Sequence, residues 1–306
     1  MRQHNLTRPL ALAVLLMAIF LMCGSCQDIG FPEELASIYV SIVVHNEETP
    51  EYISDPNLFE EERSALVEFA DMLHANNVML NWQSDWKFLE AAKQHAVGGN
   101  TGGLNIVEYI HHLGFEVDPH AHESQYTYAD VAALIDQLGV TPSNIAGGFV
   151  AYPPEECLLE RFWQPIEGDV YEYTWQAEAL WGGATSGHVN ETSLWASGIW
   201  KPQDNEHFMV HDDNAPLPHI GKYGNTWEDL DDLVEQQQSG MLDKDAIYTA
   251  VILVRQAELT GPDFIDEFEA DLQDRLDSPG LHFVGLGQLL GIWEYDYNSA
   301  PNQYFY

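Results

Sequence analysis

From residue 37 to residue 152 the chain switches repeatedly between two periodicities, and this narrows its possible folds more than any other feature. Ser37 to Val44 is β-branched and alternating, as a strand is. Leu58 to Asn76 then repeats Leu66, Phe69, Ala70 and Leu73 at helical spacing, after Asn57 and with Glu60 to Glu62 in the first turn. Val78 to Trp82 reads as a strand and Trp86 to His95 as a helix. Leu104 to Leu113 reads as a helix stopped by Gly114, and the run Phe115 to Glu123, with His120, supplies the next strand. Tyr128 to Leu138 is helical, with Val131, Leu134, Ile135 and Leu138 on one face, and Ile145 to Tyr152 is a strand ended by Pro153 and Pro154. Such an order implies parallel strands covered by helices, as an open sheet or as a barrel. In a barrel, functional groups gather at the C-terminal ends of the strands.

Two of those strand ends carry metal-ligand residue types. Ile42-Val43-Val44-His45-Asn46-Glu47-Glu48 closes the first strand, and Val117-Asp118-Pro119-His120-Ala121-His122-Glu123 closes the third. Residues two apart on a strand project to one side, so His45 pairs with Glu47, and Asp118 with His120 and His122. If the two ends are neighbours, imidazoles and carboxylates converge as they do around a catalytic divalent metal. The competing reading is that each His merely packs, caps or hydrogen-bonds in a loop. Gln83 and Asp85 end the strand between them. Gly98 to Gly103 lacks the context and the Lys of a phosphate loop and is read as a loop only.

The second half is less regular. From Glu167 to Asn225 the sequence is rich in Gly and Trp, with Trp175, Trp181, Trp195 and Trp200, and long helices are not expected there. Such tryptophans form sugar-binding faces when exposed; for any single one, burial is the preferred reading. His207, His211 and His219 allow a separate metal cluster, with loop hydrogen bonding the preferred alternative. Asp245 to Arg255 reads as a buried strand, Asp263 to Leu276 as an acidic amphipathic helix, Leu281 to Leu286 as a last strand and Gln288 to Trp293 as a last helix.

This order, with the motifs Val44-His45-Asn46-Glu47 and Val117-Asp118-Pro119-His120-Ala121-His122-Glu123-Ser124, resembles the polysaccharide deacetylases, the family with the NodB homology domain. The closing Phe283-Val284-Gly285-Leu286-Gly287-Gln288-Leu289-Leu290 is similar to that family's last strand and helix. The resemblance spans most of residues 37–292. It implies an α/β fold of the distorted (β/α) barrel type and hydrolysis of acetyl groups on a polysaccharide or cell-wall glycan. It also implies a divalent metal, Zn first by ligand type, on Glu47, His120 and His122 with His45 as a further ligand. Glu48 or Glu123 would then be the general base, with solvated loop charge the alternative for both, and His211 the acid that protonates the leaving group, with Asp118 orienting a His from behind. Departures are plain. Asn46 stands where the family has its acidic base, and Ser124 where a third His would stand. Val210-His211-Asp212 echoes the family's late Leu-His-Asp motif, but early in the chain; Leu253-Val254-Arg255-Gln256 matches it in order without the His. The alternative is a catalytically degenerate, glycan-binding protein on the same barrel.

Residues 1–26 read as a targeting segment: Arg2 and Arg8, then an apolar run from Pro9 to Met22, then Cys23-Gly24-Ser25-Cys26. The end is similar to the lipobox of bacterial lipoproteins, with Cys26 the lipidated residue; an ordinary cleaved signal peptide is the alternative. A Cys26→Ala chain that stays membrane-bound would exclude lipidation there. The expected organisation is thus a signal segment at 1–26, a linker at 27–36 and one domain at 37–306 with a Trp/Gly-rich insertion around 167–225. The protein would be exported and membrane-anchored, facing the periplasm or the exterior. Of the 3 cysteines only Cys157 lies beyond that segment, so no disulfide is expected, and Cys157 reads as a small buried hydrophobe. With 49 Asp and Glu against 11 Lys and Arg the net charge is −38, which repels nucleic acid. The acids are dispersed, and no EF-hand loop is present in the sequence.

Overall fold

The computed structural model describes residues 35–46, 51–95, 99–121, 125–150, 159–183 and 195–305. Strand β1 (Ile38–Asn46) leads to α1 (Pro56–Ala75), β2 (Leu80–Ser84), α2 (Trp86–Gln94), α3 (Ile106–His112), β3 (Glu116–Pro119), α4 (Tyr128–Gln137) and β4 (Ile145–Val150). A short hairpin of β5 (Ile166–Glu167) and β6 (Thr174–Trp175) precedes β7 (Ala179–Gly183), β8 (Trp195–Trp200) and β9 (His219–Tyr223). Then come α5 (Trp227–Gln238), β10 (Tyr248–Arg255), α6 (Phe264–Leu276), β11 (Leu281–Phe283), α7 (Leu286–Tyr295) and β12 (Tyr304–Phe305).

The helices start where side chains satisfy their first amide groups. Asp55 accepts from the backbone of Asn57 and Leu58 ahead of α1, with Pro56 opening the helix. Asn105 with Glu108, and Thr127 with Asp130, form reciprocal caps of α3 and α4. The Asn105 cap is why α3 begins at Ile106 and not at Leu104. Helix α5 carries the same signal in Thr226 and Asp229 and buries Leu230 and Leu233.

Parallel pairings run β10–β1–β2–β3 and β4–β7–β9. Single bridges join the two arcs: His120 with Gly147 between β3 and β4, and Ala250 with Tyr223 between β10 and β9. The result is a nearly closed barrel of parallel strands. Antiparallel β8 lies on β9 and β12 on β8, while β11 runs along the first residues of β1. The Trp/Gly-rich stretch is therefore not appended to the barrel, since it supplies β7 and β9.

Alternation along β1 sorts its side chains into two cores. Ile38, Val40, Ile42 and Val44 join the larger core with Phe59, Leu66 and Phe69 of α1. Val43 joins a smaller cluster with Ile145, Trp181, Ile220 and Val251, and with Leu286, Leu289 and Trp293 of α7. Side chains from strands around a ring meet only inside it, so this cluster is the barrel interior. Helix α7 closes its N-terminal end. Asn81 Oδ1 accepts from the Leu286 amide at 3.0 Å, and the Glu116 carboxylate accepts from the Gly287 amide at 3.0 and 3.1 Å. Both acceptors sit at the starts of ring strands and serve as the helix's N-terminal partners.

Trp175, Trp181 and Trp200 are buried, so the stretch offers no sugar platform through them. Trp175 donates to the Ser143 carbonyl and stacks on Tyr128, and Trp200 donates to the Phe208 carbonyl. The hairpin is tied down by Asp130. Its carboxylate accepts from the Asp169, Val170 and Tyr171 amides at 2.8 to 3.0 Å while also capping α4.

Candidate active site

The ends of β1 and β3 do meet. His45 is the penultimate residue of β1 and His120 follows β3 directly; their rings stand 4.2 Å apart at 61°. His120 is fully buried, His45 partly so. His120 Nδ1 lies 2.8 Å from the Gly147 carbonyl oxygen, which also accepts from the Tyr128 hydroxyl at 3.0 Å. A carbonyl only accepts, so His120 carries a proton on Nδ1. His45 Nδ1 lies 3.2 Å from Gln83 Oε1.

Beneath the pair is a buried polar layer. Gln83 Nε2 and Asn81 Nδ2 donate to Asp118 Oδ2 at 3.4 and 3.2 Å, and the Ser143 hydroxyl donates to Oδ1 at 2.5 Å. Burial, followed by the charge of Glu116, pushes Asp118 up to about 7 against the pull of those three donors. The sequence reading made Asp118 the partner of a His; here Gln83 lies between Asp118 and His45.

Gly148 completes the packing. It has φ +64°, and a Cβ there would lie 2.4 Å from His120 Nδ1 and 2.7 Å from His45 Cε1. At Gly147 a Cβ would lie 2.7 Å from Gln83 Cδ. Neither glycine was singled out from the sequence, where Gly147-Gly148 is simply part of a strand. Their role exists only once β4 lies against β3.

Asn46, one residue on, points the other way as strand alternation requires. It is buried, and its Nδ2 donates to the Tyr52 hydroxyl at 3.4 Å. That hydroxyl donates to Glu62 at 2.6 Å, whose pKa is raised by burial. Asn46 thus belongs to the packing between β1 and α1, away from the imidazole pair. Asp85 caps α2 through the Lys87 and Phe88 amides.

His211 lies elsewhere. Strand β8 runs antiparallel to β9, so its last residue, Trp200, sits beside His219 at the N-terminal end of β9. His211 bridges to Pro202 just beyond; Nδ1 accepts from the Lys201 amide at 3.0 Å, and Nε2 lies 2.8 Å from Asp213 Oδ1. This is the end of the barrel opposite the imidazole pair, so the structure does not bring His211 to His45 and His120. His207 pairs with Asp204. His219 is buried between Trp200 and Phe208, with burial driving its pKa down to about 3, so it is a neutral packed residue. His207 and His211 thus hydrogen-bond in loops, whereas His219 lies in β9.

Glu47, Glu48, His122 and Glu123 lie outside the described residues, as do Cys26 and Cys157. Among the described residues no group of three or more His, Cys, Asp or Glu is arranged to hold a metal. What the described residues provide is two adjacent imidazoles, each with its Nδ1 against an oxygen. That is how ligating histidines are oriented by outer partners, and it suits a borderline metal such as Zn²⁺.

In fold the chain is similar to solved distorted β/α barrels, among them a polysaccharide-deacetylase type of barrel. A probable polysaccharide deacetylase from Pseudomonas aeruginosa PAO1 matches with a TM-score of 0.53 at 11% identity, over 86% of this chain and 92% of that one. PuuE allantoinase matches with a TM-score of 0.53 at 12% identity, also over 86% and 92%. A 4-alpha-glucanotransferase from Thermococcus litoralis gives 0.49 at 12% identity, and the chain spans 40% of that protein's length. No protein-family model and no curated protein matches the sequence.

Proposed function

We propose that the protein is an exported, metal-dependent carbohydrate deacetylase acting at the mouth formed by the ends of β1 and β3. The carrying observation is the convergence of His45 and His120, 4.2 Å apart, with both Nδ1 atoms engaged by oxygen acceptors. Two solved barrels of the same fold, one of them described as a polysaccharide deacetylase, support the reading.

In this reading His45 and His120 bind the metal through imidazole nitrogen, and Glu47 and His122 complete the set. A bound divalent metal supplies Lewis acidity toward water and the acyl oxygen. Glu48 or Glu123 removes the proton from the attacking water. Water adds to the acetyl carbon, the C–N or C–O bond to the sugar breaks, and the leaving atom takes up a proton as acetate departs. Gly148 leaves room for the two rings, and Asp118 and Gln83 hold the floor beneath them. His211 takes no part, given its place at the opposite end. The lipid anchor on Cys26 would hold the enzyme at the membrane beside cell-wall or extracellular glycan.

The test is acetate release from acetylated oligosaccharides by the full chain supplied with Zn²⁺. Release that drops by about two orders of magnitude or more in His120→Ala fits the proposal; no release from wild type contradicts it. One observation favours a second reading. Asn46, where an acidic base is expected, is a neutral amide turned into the packing. A protein without hydrolysis that still binds the oligosaccharide would fit a glycan-binding barrel.

A further inference from the structure

We propose that Gln83 is a positioning residue that fixes His45 as its Nδ1–H tautomer, so that both imidazoles at the barrel mouth carry their lone pairs on Nε2. This builds on the site described above but makes a claim about the metal-free chain. Gln83 is fully buried, and its amide lies between two polar groups, Asp118 Oδ2 at 3.4 Å and His45 Nδ1 at 3.2 Å. An amide has one donating and one accepting end. Ionised, as it is above its raised pKa, Asp118 only accepts, as it does from Asn81 and Ser143, so it calls for the NH₂ end. The C=O end is left for His45. A carbonyl oxygen cannot donate, so the proton between them belongs to Nδ1. In the other tautomer two lone pairs would face each other in a buried site, which leaves both groups unsatisfied.

The amide is packed on a third side. A Cβ at Gly147 would stand 2.7 Å from Gln83 Cδ, so β4 passes close against the amide. His120 reaches the same tautomer by another route, through the Gly147 carbonyl. Two strands therefore impose one protonation pattern on two rings. The choice of an amide matters too. A carboxylate at position 83 would add a further negative group beside Asp118, which already feels the charge of Glu116.

The readout is a long-range ¹H–¹⁵N correlation spectrum of the metal-free, ¹⁵N-labelled full chain, at a pH about two units above the ordinary imidazole value. Resonances are assigned with His45→Gln and His120→Gln. Wild type is expected to show Nδ1–H and unprotonated Nε2 on both rings. In Gln83→Leu, His45 should become a tautomer mixture while His120 keeps its pattern, and Zn²⁺ affinity should fall about 10- to 100-fold. An Nε2–H tautomer of His45 in wild type overturns the proposal without any variant. So does an unchanged His45 pattern in a folded Gln83→Leu. Because the spectrum needs neither metal nor substrate, a correct tautomer without acetate release would count against the hydrolase reading alone. Acetate release with the wrong tautomer would count against Gln83 alone.

Discussion

Gly148 shows how finely the imidazole pair depends on single atoms. At φ +64° its backbone is one that side chains rarely adopt, and the space a Cβ would need is filled by His120 and His45. Gly148→Ala should therefore cost about 2 to 4 kcal/mol in urea unfolding, from strain and overpacking together. It should also weaken Zn²⁺ binding at least tenfold, because the rings are what must give way. Full stability with unaltered binding would show that the rings are not held as described. His45 and His120 were legible in the sequence, since a strand pattern followed by ligand types marks a strand end. Gly148 and Gln83 were not legible as positioning residues, because each acts on a residue brought near by strand pairing rather than by sequence spacing. Asn46 was read by its place in a motif, and alternation along β1 turned it away from the barrel interior, toward α1.

Among the elements, the β5–β6 hairpin and α4 share one anchor. The cap of α4 could be read from Thr127 and Asp130, three residues apart. That the same carboxylate gathers the amides of Asp169, Val170 and Tyr171 could not, for those lie about 40 residues on. Burial acts to raise the Asp130 pKa, but the backbone donors from Thr127, Tyr171, Val170 and Asp169 outweigh it, and the net shift is downward. A carboxyl lowered in the folded state stabilises fully above its unfolded value, near 4. That contribution is lost as pH falls through the folded value. Asp130→Asn should thus lose about 2 kcal/mol at neutral pH, from poorer caps and buried amides. Its deficit against wild type in urea midpoint should shrink below about pH 4. A deficit constant from neutral to strongly acid pH would contradict this account. The strands β7 and β9 were hidden for a different reason. Each is five residues long within a Gly- and Trp-rich run, and only ring closure gives them a partner on both sides.

For the whole molecule, the βα alternation of the first half predicted parallel strands, and the resemblance chose the barrel over the open sheet; both are what the fold shows. The charge of −38 acts on the same scale. So many like charges destabilise the compact state by mutual repulsion. Raising NaCl from about 0.1 to about 1 M shortens the screening length from about 10 to about 3 Å. The thermal midpoint should therefore rise across that range. A midpoint that stays level or falls would mean that the acids are already balanced within the fold.

The account rests on His45 and His120 gripping one cation together. Calorimetric titration of the metal-free full chain with Zn²⁺ tests this directly. One ion per chain is expected for wild type, with affinity falling at least tenfold in His45→Ala and in His120→Ala while both variants stay folded. Equal, stoichiometric binding by wild type and both variants would contradict it.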